Sequence, residues 1–522
     1  MILKIRGRVR RERTLPNRAI LVGVVWVLLW SLNGCSLIGP DFRRPEIAMR
    51  ENWLAQNKKD LKRGDYREWW KVFSDPVLND LIAKAYQQNL NLQAAAVRIM
   101  EARAQLGIAR GNFFPQTQTI GGEFGYTKLS ERSPNFVSTY DPEYFGFQAG
   151  FDAIWEVDIW GRFRRGIESA NAKLGVSLAD YEDVLVSLTA EVAASYVQIR
   201  EFQQRLKVAK SNRRIQHESL HITEVSLTEG IGNELDVQQA KALLYNTRAL
   251  IAGLEIGLRQ SKNALAVLLG RFPQDLDQGL KVSQAVPAVE ERIAIGIPNE
   301  LLRRRPDIRR AEFQAAAQSA LIGVAKADLL PRFSLRGSLG LNTSNTGAID
   351  VFDVFDIKSL AAAFGPSVTW PILNYGRLKN NVRVQDARLE QALIGYKQTV
   401  LQAVREVEDA LIAFRKARSQ VDDLRKGVAA SNRAVELSLI QYREGIEDYT
   451  RILNSQQFLV EQQDRLIQSQ SRVAKNVIAL YKAIGGGWEI REGKDLIPTE
   501  IKQRMEERTD WDEMLAEQEA DG

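Results

Sequence analysis

Cysteine occurs once and histidine twice in 522 residues. A single thiol excludes an intrachain disulfide. Cys35 lies far in sequence from His217 and His221, which argues against a thiol–imidazole catalytic pair. Five methionines and two histidines give no obvious metal relay, and no cofactor is expected. A surplus of positive charge is also missing from most of the chain. Of the 71 Lys and Arg residues, seven fall in the first 34 positions, with one of the 65 Asp and Glu. The remainder carries 64 of each sign, so the net charge of +6 makes no case for nucleic-acid binding. The apolar run Ala19–Trp30 is too short to span a bilayer comfortably as a helix. None of the 15 prolines falls between Arg162 and Glu229.

That proline-free stretch carries a heptad seam. At Leu174, Leu178, Tyr181, Leu185, Leu188, Val192, Ser195, Ile199, Phe202, Leu206 and Ala209 the spacing alternates 4 and 3 without a break. Every position but Ser195 is apolar, which predicts a long helix lying against other helices. At about 1.5 Å per residue it would be roughly 100 Å long, far beyond what one globular core covers. The seam recurs 215 residues on, at Leu389, Leu393, Tyr396, Val400, Ala403, Val407, Ala410, Phe414, Ala417, Val421 and Leu424. The small side chains of Ala403, Ala410 and Ala417 allow close helix approach.

The chain starts with a basic segment that leads into Ala19–Trp30 and ends at Leu32-Asn33-Gly34-Cys35. This arrangement reads as a targeting segment and resembles the lipobox of bacterial lipoproteins. The resemblance implies cleavage before Cys35 and acylation of its thiol and new amino group. Ser36 after the cysteine implies sorting to the outer membrane. Gly39-Pro40-Asp41-Phe42-Arg43-Arg44-Pro45 then reads as an extended tether. Ser74 or Asp75 can cap a helix with Pro76 in its first turn, running to about Asn112.

Strands follow. From Tyr144 to Asp158, Phe145, Phe147, Ala149, Phe151, Ala153, Trp155 and Val157 share one face, and mainly polar residues and glycine share the other. Such alternation suits a strand with lipid outside and water inside. Thr117–Tyr126 reads as a weaker partner, with residues 127–143 as the loop between them. After the long helix, Glu229-Gly230-Ile231-Gly232-Asn233 supplies a stop and a new cap. A returning helix runs from about Glu234 to Leu269, and residues 271–297 read as a linker. The pattern then repeats: Pro115 with Pro331, Gly161 with Gly376, Gly230 with Gly445, Gly270 with Gly485. Offsets of 215 or 216 at four chain breakers mark an internal duplication. The second copy's strands alternate more clearly, at 332–342 and 359–372. Residues 489–522 are charged, low in apolar periodicity, and read as a disordered tail.

Strands of roughly 10–15 residues match a tilted bilayer crossing. Four of them cannot close a barrel, and an open edge in lipid leaves backbone groups unpaired. Membrane strands of this kind therefore require an oligomer: two chains would supply eight strands, three would supply twelve. The fold expected is mainly α with membrane β. Its parts are residues 1–34 (leader), 35–297 (tether and first repeat), 298–488 (second repeat) and 489–522 (tail).

The sequence resembles TolC-like outer-membrane efflux proteins of the lipoprotein (NodT-type) branch, which partner resistance-nodulation-division (RND) pumps. The resemblance rests on Cys35 through Pro45, Trp69-Trp70 with Asp75-Pro76, and Trp160-Gly161-Arg162. Two longer stretches, Leu302–Glu312 and Leu480–Trp488, carry it further. It implies a homotrimer with a 12-stranded outer-membrane β-barrel above a 12-helix periplasmic α-barrel. It also implies a periplasmic adaptor (membrane fusion protein) and an inner-membrane RND pump as partners. The channel would conduct small-molecule cargo passively, with no chemistry of its own. Its tip hairpins would be Thr228–Val237 and Arg443–Leu453, with Gly230, Asp236 and Gly445 at the docking end. Tyr442, Arg443, Glu447, Asp448, Tyr449 and Arg451 would be gate residues. The resemblance implies further acids in the second hairpin; the matching positions here are Arg451 and Asn454.

Two other readings compete. The same architecture serves as the outer-membrane duct of type I protein secretion. His217-Glu218-Ser219-Leu220-His221 fits H-E-x-x-H, the zinc-protease pattern. These are the only histidines, so a third ligand would have to be a carboxylate such as Glu234 or Asp236 beyond the helix turn. Solvated helix residues are the plainer reading.

Overall fold

The computed structural model describes residues 37–47, 53, 66–132, 134, 141–276, 280, 284–289, 303–345 and 351–515. Cys35, the segment before it that reads as a leader, and the expected 297/298 boundary lie outside them. Two short helices come first, α1 (Pro76–Gln88) and α2 (Leu90–Gly111), then strands β1 (Thr117–Lys128) and β2 (Glu143–Val157). Two long helices follow, α3 (Arg162–Thr228) and α4 (Glu234–Leu268). The order then recurs: α5 (Pro306–Ala327), β3 (Arg332–Ser344), β4 (Leu360–Thr369), α6 (Arg377–Arg443) and α7 (Tyr449–Ala483). A last helix, α8, spans Thr499–Glu506.

The duplication is literal in the helices. α3 and α6 both have 67 residues, α4 and α7 both have 35, and each pair starts 215 positions apart. α2 and α5 stand 216 apart, because the first copy has one more residue between its proline and its strand. All four later breakers take the left-handed conformation that favours glycine: Gly230, Gly445, Gly270 and Gly485 have φ of 75°, 72°, 63° and 70°. After each, the next amide reaches five residues back, as when Ile231 N donates to Ser226 O and Ile446 N to Gln441 O. This satisfies the last free carbonyls of the helix.

The expected single helix to Asn112 is instead two. Asn89, which is buried, accepts from the Leu92 amide at 2.9 Å and donates to Leu268 O at 2.8 Å. It ends α1 and caps α2 with one side chain. At the start of α1 the cap is Asp75, which accepts from the amides of Val77 and Leu78.

The chain divides into two compact units, and each sequence repeat contributes to both. Among the described residues, the first unit takes in 37–42 and those within 106–170 and 317–389. It holds one antiparallel sheet in the order β1-β2-β3-β4. Residues directly opposite one another share a face, and the rows Ile120–Phe151–Leu339–Ala362 and Phe333–Val157 with Val368 place the apolar residues on one side. Much of that side is bare: Ile120 is 87% exposed and Phe364 82%. The opposite side carries Glu123, Gln148 and Asn342 in one row and Thr119, Asp152 and Ser338 in another. The tether is clamped in the same unit. Arg165, itself buried, donates to Ile38 O at 3.2 Å and to Asp41 Oδ1 at 2.7 Å. Gly39 and Gly323 touch backbone to backbone; a Cβ on Gly39 would lie 2.5 Å from Gly323 Cα.

The second unit is helical. Its core joins Trp69, Trp70, α1 and α2 to Tyr181–Ile199 of α3, Val407–Phe414 of α6 and the ends of α4 and α7. The tail, expected to be disordered, is packed as far as Leu515. Ile497, Met505 and Leu515 are buried in this core, so residues up to 515 are tied down by apolar contact. The two long motifs meet here as well. Arg305 donates to Ala483 O, and Arg309 and Arg491 both lie over the Trp488 ring, at 4.9 and 5.8 Å. Both guanidiniums pair with Glu182, which is 0% exposed, Arg491 Nε at 2.9 Å. Burial lowers the pKa of both arginines, and Arg491 adds to that at Arg309.

Candidate functional site at the ends of the long hairpins

α3 and α4 join through 229–233, and α6 and α7 through 444–448, so each repeat ends one hairpin. Gly230 and Gly445 make the turns for the reason given above. Asn233 caps α4 by accepting from the Asp236 amide at 2.9 Å. Asp448, its counterpart, accepts no such bond.

The two hairpin ends pack on each other. Tyr449 is buried with Ala240 and Ile452, and Leu220, Leu439, Tyr442 and Leu453 close the cluster. Tyr442 and Tyr449 meet edge to face with centroids 5.8 Å apart, and burial raises the Tyr442 hydroxyl pKa while Ser226, on the other hairpin, lowers it in part. Burial, then Tyr442 and Asp236, push the Tyr449 hydroxyl up to about 12. Asp236 is half-buried, and its carboxyl pKa is raised, first by burial and then by the charge of Asp448. Four of the expected residues therefore converge: Asp236, Tyr442, Asp448 and Tyr449. Glu447, just before α7, pairs with Arg451 in its first turn at 3.5 Å, a partly exposed contact worth little. Arg443 is exposed.

Sequence reasoning missed how polar the helix contacts become toward these ends. Ser219 accepts from Gln456 at 2.8 Å and Asn212 donates to Gln463 at 2.9 Å. Gln216 is buried with neither its amide nitrogen nor its oxygen bonded. Apolar side chains pack the same helix at Leu185, Val192 and Ile199. A seam held by exchangeable hydrogen bonds gains less from staying closed than an apolar one. The heptad positions gave no hint of this, because Asn212, Gln216, Ser219 and Thr223 form their own stripe beyond Ala209.

His217 and His221 stand exposed on α3, and among the described residues no three His, Cys, Asp or Glu side chains gather to hold a metal. Of the two carboxylates named as a third ligand, Glu234 is exposed and Asp236 feels the charge of Asp448.

A family pattern described as "OEP: Outer membrane efflux protein" matches the chain twice, over residues 81–271 and 297–486. The chain is 32% identical to "Nodulation protein T" of Rhizobium leguminosarum bv. viciae over 88% of its own length and 92% of that protein. It is 31% identical to "Solvent efflux pump outer membrane protein SrpC" of Pseudomonas putida, over 92% and 99%. The solved outer-membrane channel OprN superposes with a TM-score of 0.80 at 34% identity, covering 87% of this chain and 99% of that one. With both repeats matched and the long helices and four strands reproduced in a solved relative, the chain belongs to the outer membrane efflux protein family, a transport channel of the outer membrane and not an enzyme.

Proposed function

We propose that the chain forms the outer-membrane exit duct of a tripartite RND efflux pump, as a homotrimer anchored through acylated Cys35. The observation that carries the reading is the four-stranded sheet, apolar on one side, polar on the other, and open at β1 and β4. Three copies give a closed 12-stranded barrel with lipid outside and water inside. Outer-membrane lipid covers the apolar side. The long helices of three copies line a tunnel that passively conducts small-molecule cargo. Gly230, Asp236 and Gly445 mark the end where a periplasmic adaptor docks to connect the inner-membrane pump. Asp236, Tyr442, Asp448 and Tyr449 hold that end shut, with Arg443, Glu447 and Arg451 on its rim.

Deleting the gene and challenging cells with drugs, detergents, solvents and metal ions tests the efflux reading. Sensitivity to at least one class is expected. Unchanged tolerance together with loss of a secreted protein from the medium would favour type I secretion instead.

The gate has its own test. A carboxyl whose folded pKa is raised binds its proton more tightly when packed, so the packed state gains stability as pH falls through that raised pKa and loses it as pH rises. Conductance of the purified channel in planar bilayers should therefore drop on acidification. Asp236→Asn should flatten that dependence while leaving the open-state conductance intact. An unaltered pH profile in Asp236→Asn counts against the assignment.

A further inference from the structure

The sheet specifies how copies meet. Moving both strands of the β1–β2 ladder by 215 residues reproduces the β3–β4 ladder: Thr117↔Ile154 becomes Arg332↔Thr369, and Ile120↔Phe151 becomes Leu335↔Pro366. The two β-hairpins are thus one object used twice, in the same register. The seam between them, β2–β3, joins the last strand of one repeat to the first strand of the next, and its paired residue numbers always add to 490. By the same shift, β4 is the counterpart of β2 and β1 the counterpart of β3. The edges left open in one chain are therefore the same two edges that pair inside it.

Glycine placement supports this independently. Within the internal seam Gly150 stands opposite Gly340. A Cβ on Gly340 would lie 2.6 Å from Ala149 O and 2.9 Å from Gly150 Cα; one on Gly150 would lie 3.1 Å from Gly340 Cα. The approach tolerates no side chain. Shifted by 215, Gly150 becomes Gly365 and Gly340 becomes Gly125, and both are glycine. Inside the chain neither needs to be, since no atom lies within 4 Å of a Cβ built on either. Gly121 is bare in the same way, but only Gly125 and Gly365 are the counterparts of two glycines held face to face; since glycine in a strand costs stability, that pair points to a neighbour from another chain.

We propose that β4 of one copy pairs antiparallel with β1 of the next in the register of the internal seam. Gly365 then lies opposite Gly125, Phe364 opposite Tyr126, and Ser367 opposite Glu123. Faces agree along the seam: Phe364 and Tyr126 extend the apolar side, Ser367 and Glu123 the polar side. A slip of one residue would invert every pair. The contact is heterologous, one edge meeting a different edge, so it closes only as a ring. The inference rests on the ring reading above and adds which residues meet.

Cysteine pairs in the full-length protein, in its own membrane, test it. Ser367→Cys with Glu123→Cys, and Phe364→Cys with Tyr126→Cys, lie three rungs apart. One of the two is therefore a non-hydrogen-bonded rung, whose Cβ atoms are close enough for a disulfide. Oxidation should link chains into covalent dimers and trimers in at least one double variant, reversibly on reduction and in no single variant. Thr369→Cys with Glu123→Cys faces the same side but sits two residues out of register, and should not link. Linking by that pair alone, or by neither in-register pair in a protein of trimeric mass, would overturn the register and leave the ring standing. A monomeric mass in mild detergent would overturn the ring itself. A Cβ at Gly365 meets no atom within 4 Å inside the chain, so Gly365→Ala should cause loss of most of the trimer without disturbing the chain's own sheet; a trimer as abundant as in the unaltered protein would count against the close approach.

Discussion

Glu182→Ala is expected to destabilise the helical unit by about 3 kcal/mol, because it empties a buried site and leaves two partly buried guanidiniums without their counter-charge. Glu182 has no exposed surface and receives Arg309 and Arg491, which flank the Trp488 ring. Against a typical folding stability of about 5–15 kcal/mol, such a loss removes much of the margin. Thermal unfolding of the detergent-purified protein measures it. Glu182→Gln keeps an acceptor but no charge, and should fall between the two. Replacing Glu182, Arg309 and Arg491 together with methionine should restore most of the loss, since no charge is then stranded. If Glu182→Ala unfolds at the unaltered protein's temperature, the cluster does not hold the unit together.

Ending the chain after Arg491 should have an effect of the same order by another route. Arg491 and its bond to Glu182 would survive, but Ile497, Met505 and Leu515 would leave the core. Burying three side chains of this size contributes on the order of 5 kcal/mol. Lys494 would no longer lie over the Tyr86 ring of α1, and Ile501 would no longer line the groove beside Leu90 and Val97 of α2. The shortened protein should reach the outer membrane in much lower amount and be cut faster by added protease. A shortened chain of normal abundance and resistance would mean that the tail is an ornament after all.

The tail shows why parts of the molecule escaped sequence reading. Its buried residues lie eight and ten positions apart among charges, too sparse for any periodicity to register. The long helices were legible because a seam repeated over eleven positions has no other economical reading, and the glycine stops because positive φ selects glycine. Strand alternation was legible for the same reason, down to the shared faces. The break at Asn89 was not: Gln87-Gln88-Asn89-Leu90 contains neither glycine nor proline, and the side chain ends α1 partly by bonding Leu268, 179 residues away. At the hairpin ends, sequence placed the right residues near the turns but could not say which side each would take. Tyr442 and Tyr449 turn inward, while Arg443 turns to solvent. The motifs Leu302–Glu312 and Leu480–Trp488 marked the family without revealing that they touch, because contact between distant segments leaves no local pattern.

The pairing of β2 with β3 also sets a timetable. About 175 residues separate the end of β2 from the start of β3, and they include both long helices of the first repeat. At ordinary synthesis rates the first β-hairpin would wait roughly 10–35 s for its neighbour. Throughout that interval Phe145, Phe147 and Phe151 present an apolar strand with a bare edge, the kind of segment that aggregates. A holdase that favours unfolded, aromatic-rich strands would find its binding site here, and its concentration would set how much of the newly made chain survives to assemble.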